Sequence, residues 1–289
     1  MSHLQILLAN LIWGALPLYF YFYDRVSPLF MLAMQIIATW LVLALFVRAK
    51  PQQASQPNRS WRTYVPSACF LAANWGIYAM TVQSGQALEA SFAYLITPVL
   101  FAALDCFAPA NRKNPAMLGC MLATGGIIVL DAIMQGVVPI AGFLIAMAFV
   151  AYILWHRKQG LDPLVALKHE TSLMLPLAIG LLFIPQDLSL TRTQMALLPL
   201  LGVLTCLPLL LFIIGSKRVA FKHLSLYQFV APITGTLIAV ELYQQAFPLE
   251  KGLIYAALIA MLCLNIYLNR PRQSDAKAQL AMAARIEAE

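Results

Sequence analysis

Four carboxylates stand inside or at the edge of long apolar runs: Glu89, Asp105, Glu170 and Glu241, with His169 directly before Glu170. An ionisable side chain at the centre of a membrane helix costs ~2.5–3.5 kcal/mol on insertion scales, so such residues face a cavity or a partner. The chemistry open to them is proton exchange, because desolvation disfavours the charged form of a carboxylate. One or more of them would take and release a proton as a cavity alternates between two sides. Each also has a plainer reading. Glu89 opens its apolar run, where a carboxylate complements a helix N-terminus. Asp105 follows Pro98 by seven residues and Glu241 follows Pro232 by nine, and both suit a buried ion pair or a helix end. His169 suits a solvated helix end, and His156, beside Arg157 and Lys158, reads as interfacial.

A second set could bind rather than titrate: Trp13, Asn74, Trp75, Tyr78, Tyr94, Tyr152 and Gln228. A cavity for a medium-sized organic molecule needs apolar aromatic walls with a few placed polar groups. Tryptophan and tyrosine also gather at bilayer interfaces, but Trp13 and Asn74 fall well inside their apolar runs. Asn74 has an alternative use as interhelical glue.

Other chemistries lack their residues. His169-Glu170 is followed by Thr171-Ser172, so no HExxH forms, and GxSxG, P-loop and GxGxxG patterns are missing from the sequence. The five cysteines lie singly in apolar segments, which indicates neither zinc site nor disulfide framework. No enzyme activity, cofactor or metal is expected.

The elements that position these residues follow from composition. The 289-residue chain is 61% hydrophobic and 11% charged, against about 25% charged for soluble domains. Ten apolar stretches are each long enough for a spanning helix: 4–23, 28–47, 64–83, 88–108, 115–134, 137–155, 164–184, 195–216, 224–246 and 252–269. Met1 to Gln5 is too poor in positive charge for a signal peptide, so the first stretch is expected to be a retained helix. With both termini cytoplasmic, 16 of the 19 Lys and Arg residues fall on the cytoplasmic side, and only Arg25, Arg192 and Lys251 fall outside. The net charge of +7 is thereby explained by loops, and nucleic acid is not an expected partner.

The expected fold is therefore an all-α integral membrane protein of ten helices. Ten divides into two fives, and an odd number of spans inverts the second half relative to the first. Residues 1–134 would form one repeat, 135–269 an inverted second, and 270–289 a polar cytoplasmic tail. Ser91-x-x-Tyr94-x-x-x-Pro98 matches Ser225-x-x-Gln228-x-x-x-Pro232, with Pro98 and Pro232 as expected helix bends. Inverted repeats are a recurring transporter plan, in which one half rocks against the other around a central site.

Several of these landmarks together resemble a known family. Ile12-Trp13-Gly14, Asn74-Trp75, Leu88-Glu89-Ala90-Ser91 with Tyr94 and Pro98, Tyr152 with Arg157-Lys158, Glu170-Thr171 with Pro176, and Gln228 with Pro232 are similar to the RarD branch of EamA-type transporters. That branch belongs to the drug/metabolite transporter superfamily. The resemblance implies a ten-helix bacterial inner-membrane carrier whose cavity is lined by the first, third, fourth, sixth, eighth and ninth helices. The second and seventh helices would move. Where relatives often carry Gly-Glu after the fourth and ninth helices, this chain has Ala110-Asn111 and Gln244-Gln245.

The expected function is secondary transport, as a probable exporter, of a small organic metabolite or drug-like compound, with proton coupling through the carboxylates above. The alternative is a membrane scaffold or assembly protein without flux. The expected partners are a small-molecule substrate and the lipid bilayer, and a homodimer stays open.

Overall fold

The computed structural model describes residues 2–49, 59–106, 115–135, 138–185, 190–216, 219 and 227–268. Among them every regular element is helical, as a bilayer requires of a chain that must satisfy its backbone groups internally. The helices are α1 (Ser2–Phe22), α2 (Pro28–Ala49), α3 (Val65–Gln83), α4 (Ala87–Cys106), α5 (Pro115–Gln135) and α6 (Ile140–Gln159). They continue with α7 (Pro163–Leu182), α8 (Arg192–Leu197), α9 (Leu200–Ser216), α10 (Val230–Glu241) and α11 (Leu249–Leu268).

Local chemistry sets these ends. Prolines open α2, α5 and α7, where a missing N–H costs nothing. Asp162 caps α7 by accepting from the amides of Leu164 and Val165, both at 3.1 Å. Gly160, at φ 57°, ends α6 in the left-handed region. The expected stretch 195–216 is divided in two. Thr191 and Gln194 form a capping box at the start of α8, and Pro199 stands between α8 and α9. The expected stretch 224–246 is cut short at its far end. Glu241 closes α10, Gln244 takes φ 52°, and its side chain donates to the Glu241 carbonyl.

Among the described residues, seven segments are long and apolar enough to cross a membrane: 2–22, 28–47, 65–83, 87–104, 140–159, 163–182 and the α8–α9 pair, 192–216. Leu118–Met134 in α5 and Val230–Glu241 are apolar but shorter. The outward faces are apolar as well, with Leu122, Ile133 and Leu45 all exposed. Water would not tolerate such a surface and a bilayer would. The chain is a multi-pass integral membrane protein.

Packing has an internal rhyme. α1 lies along α9 and α10, α3 along α6, α4 along α6 and α10, α2 along α7, and α5 along α11. Counting α8 and α9 as one helix, a shift by five helices converts the α1–α9 contact into α6–α3. It converts α4–α6 into α10–α1, and it maps α2–α7, α4–α10 and α5–α11 onto themselves. The rhyme is inexact at several pairs, the α2–α9 pair among them. α2 and α9 meet closely, with Gly202 against the backbone of Ala38 and Thr39. The corresponding α3–α7 contact is sparse and leaves an apolar groove between Ala68, Cys69, Ala72, Leu173, Met174 and Leu177.

Candidate functional site

The helices enclose a central cavity between α1, α3, α4, α6 and α9, lined by Trp13, Leu71, Asn74, Trp75, Tyr94, Thr97, Ile145, Phe149, Thr205 and Leu209. Only about 20 Å³ of it can hold the centre of a water molecule. The cavity is narrow as it stands, and its described lining carries no charge. Aromatic faces dominate. Trp13 meets Phe149 edge-on and Phe212 at a tilt, both at 5.3 Å between ring centroids. The Asn74 carboxamide donates to the Ile145 carbonyl at 2.9 Å, joining α3 to α6. The interhelical use expected as its alternative is therefore present, and Asn74 borders the cavity as well.

Six of the ten lining residues fall in matched pairs. Trp13 and Phe149 lie 136 residues apart, and Leu71 with Thr205 and Trp75 with Leu209 lie 134 apart. Tyr94 and Gln228, aligned by their flanking Ser-x-x and Pro residues, also differ by 134. The cavity thus sits where the two halves of the packing pattern meet.

Below the cavity, toward the end where α6 stops and α7 starts, lies a buried polar cluster. Ile145, Phe149, Tyr152 and His156 occupy successive turns on one face of α6, as their spacing of four, three and four dictates. The upper two line the cavity. The lower two reach Glu170 on α7: Tyr152 donates to Oε2 at 3.0 Å, and His156 Nε2 lies 2.7 Å from Oε1. All three side chains are 0–1% exposed. His156 Nδ1 is buried with no hydrogen-bond partner among the described residues.

The opposite end is closed by phenols and amides. Tyr78 stacks edge-on against both Tyr94 and Phe20 at 5.8 Å. Tyr19 donates to the Leu197 carbonyl, Tyr23 to Gln194 and Tyr243 to Pro17. Gln245 accepts from the Leu88 amide at 2.8 Å and donates to the Gly85 carbonyl. It therefore caps α4 from the far half of the chain.

Placement separates the expected site residues. Trp13, Asn74, Trp75 and Tyr94 share the cavity. Tyr78 belongs to the closure at one end and Tyr152 to the cluster at the other. Gln228 is buried just before α10, its Oε1 without a partner among the described residues. Glu89 lies in the first turn of α4, and its Oε1 accepts from the Gly142 amide at 3.4 Å, linking α4 to α6. Glu241 is exposed at the end of α10, not within a longer helix, because the chain turns at Gln244. α4 continues through Pro98. Pro232 sits in the first turn of α10, where its missing N–H interrupts little, not in mid-helix. The Asp105 side chain lies outside the described residues.

His169 does not pair with Glu170. It points outward and stacks on Tyr64, with ring centroids 4.7 Å apart. The imidazole that meets Glu170 is His156, which the adjacent basic run had made look interfacial. The spacing Phe149, Tyr152, His156 on one helical face was the signal that could have found it.

Comparison with known proteins agrees with this architecture. Residues 1–130 match the EamA-like transporter family. The "Uncharacterized transporter YojE" of Bacillus subtilis is 26% identical over 88% of this chain and 89% of its own length. An "Uncharacterized transporter" of Vibrio cholerae is 29% identical over 86% of each chain. "Protein RarD" of Escherichia coli is 26% identical over 90% of this chain and 92% of its own. A crystal structure described only as that of a protein shares the fold with a TM-score of 0.64 at 20% identity, covering 94% of this chain and 99% of the other. The first 130 residues thus match the EamA-like transporter family model, and the chain is similar along most of its length to proteins named RarD.

Proposed function

We propose that this RarD homologue is a secondary transporter that exports a small organic compound across the bacterial inner membrane by alternating access. The observation that carries the reading is the cavity of matched lining residues at the centre of a packing pattern that repeats after five spans. Two inverted five-helix repeats, residues 1–134 and 135–269, account for both features and for the odd span number of each half. The distribution of Lys and Arg supports ten spans with both termini and the tail 270–289 in the cytoplasm. In that orientation the Tyr152–His156–Glu170 cluster lies on the cytoplasmic side of the cavity, and the tyrosine closure lies outside.

The uncharged aromatic lining suits a planar or apolar organic substrate, recognised by ring stacking and by amide and hydroxyl groups of Asn74, Tyr94, Thr97 and Thr205. The energy for export would come from a proton gradient, with Glu170 as the exchanging carboxylate. Glu89 ties two helices together and Glu241 is solvated, so each suits a structural use better.

The test joins binding to flux. Purified protein in nanodiscs is screened against a panel of metabolites and drug-like compounds by thermal shift. A compound at a hundred times its Kd adds about 2.7 kcal/mol to the folded state. A hit should lose its effect in Trp75→Ala and Asn74→Ala while keeping it in Glu241→Gln. The same compound, radiolabelled, should accumulate in inside-out vesicles. Binding that ignores the cavity variants, or a cavity ligand that never crosses, would defeat the transporter reading.

A further inference from the structure

The two ends of the cavity are equivalent in position and different in chemistry. The register that pairs Trp13 with Phe149 also pairs Leu16 with Tyr152 and Phe20 with His156, each 136 apart. Aligning the starts of α2 and α7, Pro28 with Pro163, pairs Gln35 with Glu170. All six of these side chains are buried. At one end of the cavity the three positions hold leucine, phenylalanine and a carboxamide, none of which titrates. At the other they hold a phenol, an imidazole and a carboxylate in mutual hydrogen-bond contact.

We infer that the Tyr152–His156–Glu170 cluster is a proton-operated gate between the cavity and the cytoplasm, and that its counterpart at the opposite end, Leu16, Phe20 and Gln35, takes no proton. The inference rests on the transport reading for the assignment of the ends. Charge decides the direction of the switch. With one proton shared between imidazole and carboxylate, as an ion pair or as two neutral groups, the cluster is neutral overall. Losing that proton leaves a carboxylate beside a neutral imidazole, a net negative charge in a site closed to water. Such a charge is strongly disfavoured unless solvent reaches it. Parting α6 from α7 below Phe149 admits that solvent and at the same time opens the cavity floor. Protonation therefore closes the gate, and opening releases the proton to the cytoplasm. The shared proton belongs to the pair and not to either residue alone.

Other titratable groups surround the cluster without joining it. Tyr64 and Arg59 lie before α3, Asp162 in the turn, and Lys168 and His169 on α7, with Tyr64 and His169 near enough to feel the Glu170 charge. Arg157 follows His156 on α6 and donates to the Ser216 carbonyl of α9. Among the described residues, α1, α2 and α9 direct no carboxylate or imidazole at Glu170.

The test reads the gate without a substrate. Spin labels are placed on Leu4→Cys and Lys158→Cys, both exposed at the cytoplasmic ends of α1 and α6, in protein whose five native cysteines are replaced. A second pair, Gln86→Cys and Thr193→Cys, marks the other end. Distances are measured in nanodiscs at about pH 5 and about pH 8.5. The cytoplasmic pair should lengthen at the higher pH by roughly 5 Å, one helical turn, while the outer pair should not lengthen with it. Glu170→Gln should hold the short distance at both pH values, and His156→Gln should abolish the pH response, both in protein that still runs as a folded species on size exclusion. Tyr152→Phe keeps the proton pair and should keep the response. A pH-indifferent parent, or a response that survives in both Glu170→Gln and His156→Gln, overturns the gate. A cavity ligand found alongside an indifferent gate leaves the transport reading standing. A responsive gate in a protein that moves nothing leaves the gate standing and removes its assigned purpose.

Discussion

Removing the imidazole of His156 should cost more than removing the imidazole and the carboxylate charge together. Glu170 and His156 are both buried and 2.7 Å apart. His156→Ala strands a carboxylate with only the Tyr152 hydroxyl as a donor in the described contacts. Breaking a buried pair by deleting one partner costs about 3–5 kcal/mol. Glu170→Gln keeps the shape and still offers a carbonyl to Tyr152 and an amide to the ring, so it should cost about 1 kcal/mol, the scale of one ordinary hydrogen bond. In His156→Ala/Glu170→Gln no charge is left behind. What remains is a cavity of imidazole size and a weakened hydrogen bond, about 2–3 kcal/mol. The double variant should therefore be more stable than His156→Ala by about 1–2 kcal/mol. A thermal melt in detergent would show this as an apparent midpoint a few degrees higher, at roughly 2–4 °C per kcal/mol for a chain of this size class. Strict additivity, with the double variant below both singles, would refute the reasoning. It would mean that the two groups do not share a charge balance.

Three further perturbations follow from the packing. Gly202→Val puts a branched side chain into the backbone of Ala38 and Thr39. It should cost about 1–3 kcal/mol as overpacking, read as a lowered melting midpoint, whereas Gly119→Val, with open space around it, should shift the midpoint far less. Gln245→Ala removes the side chain that caps α4 across the molecule, and should cost about 1 kcal/mol with faster amide exchange at Leu88 by mass spectrometry. Trp13→Ala vacates the centre of the aromatic cluster and should cost about 3–5 kcal/mol. Trp13→Phe, which keeps the contacts with Phe149 and Phe212, should recover most of the lost midpoint.

The sequence made the helical membrane class plain because one quantity, apolar content unbroken by charge, decides it. Charges then separate the spans, and Pro28, Pro115 and Pro163 mark helix starts visibly. The ends of α8 and α10 were harder to read. Apolar content runs through Pro199, and it offers nothing at Gln244 to announce a left-handed turn. Four of the seven expected binding residues share the cavity, since an aromatic or amide deep in an apolar run has few other places to go. The polar cluster was half legible. Glu170 stood out as a carboxylate in hydrocarbon, but its partner is chosen by which face of α6 looks at α7. Adjacency in the chain pointed to His169, which faces the other way. Helical spacing from Phe149 pointed to His156, and three-dimensional contact follows spacing.

On the transport reading, the same comparison of halves would let a two-fold arrangement move a cargo in one direction. If both ends of the cavity had the chemistry of Leu16, Phe20 and Gln35, the inward-open and outward-open states would differ only by exchanging the roles of the repeats. No ion could then bias one against the other. Three replacements, of Leu16, Phe20 and Gln35 in one half by Tyr152, His156 and Glu170 in the other, would make the two closures respond differently to proton concentration. The cavity needs no charge of its own for this, and its described lining has none. Exchanging the two chemistries, with Gln35→Glu in α2 and Glu170→Gln in α7, should then transfer the pH response from the Leu4–Lys158 label pair toward the Gln86–Thr193 pair. That transfer is incomplete by design, because Leu16 and Phe20 supply no imidazole to share the proton. A pH response that stays at the cytoplasmic end after the exchange would show that the carboxylate is not what sets the polarity of the cycle.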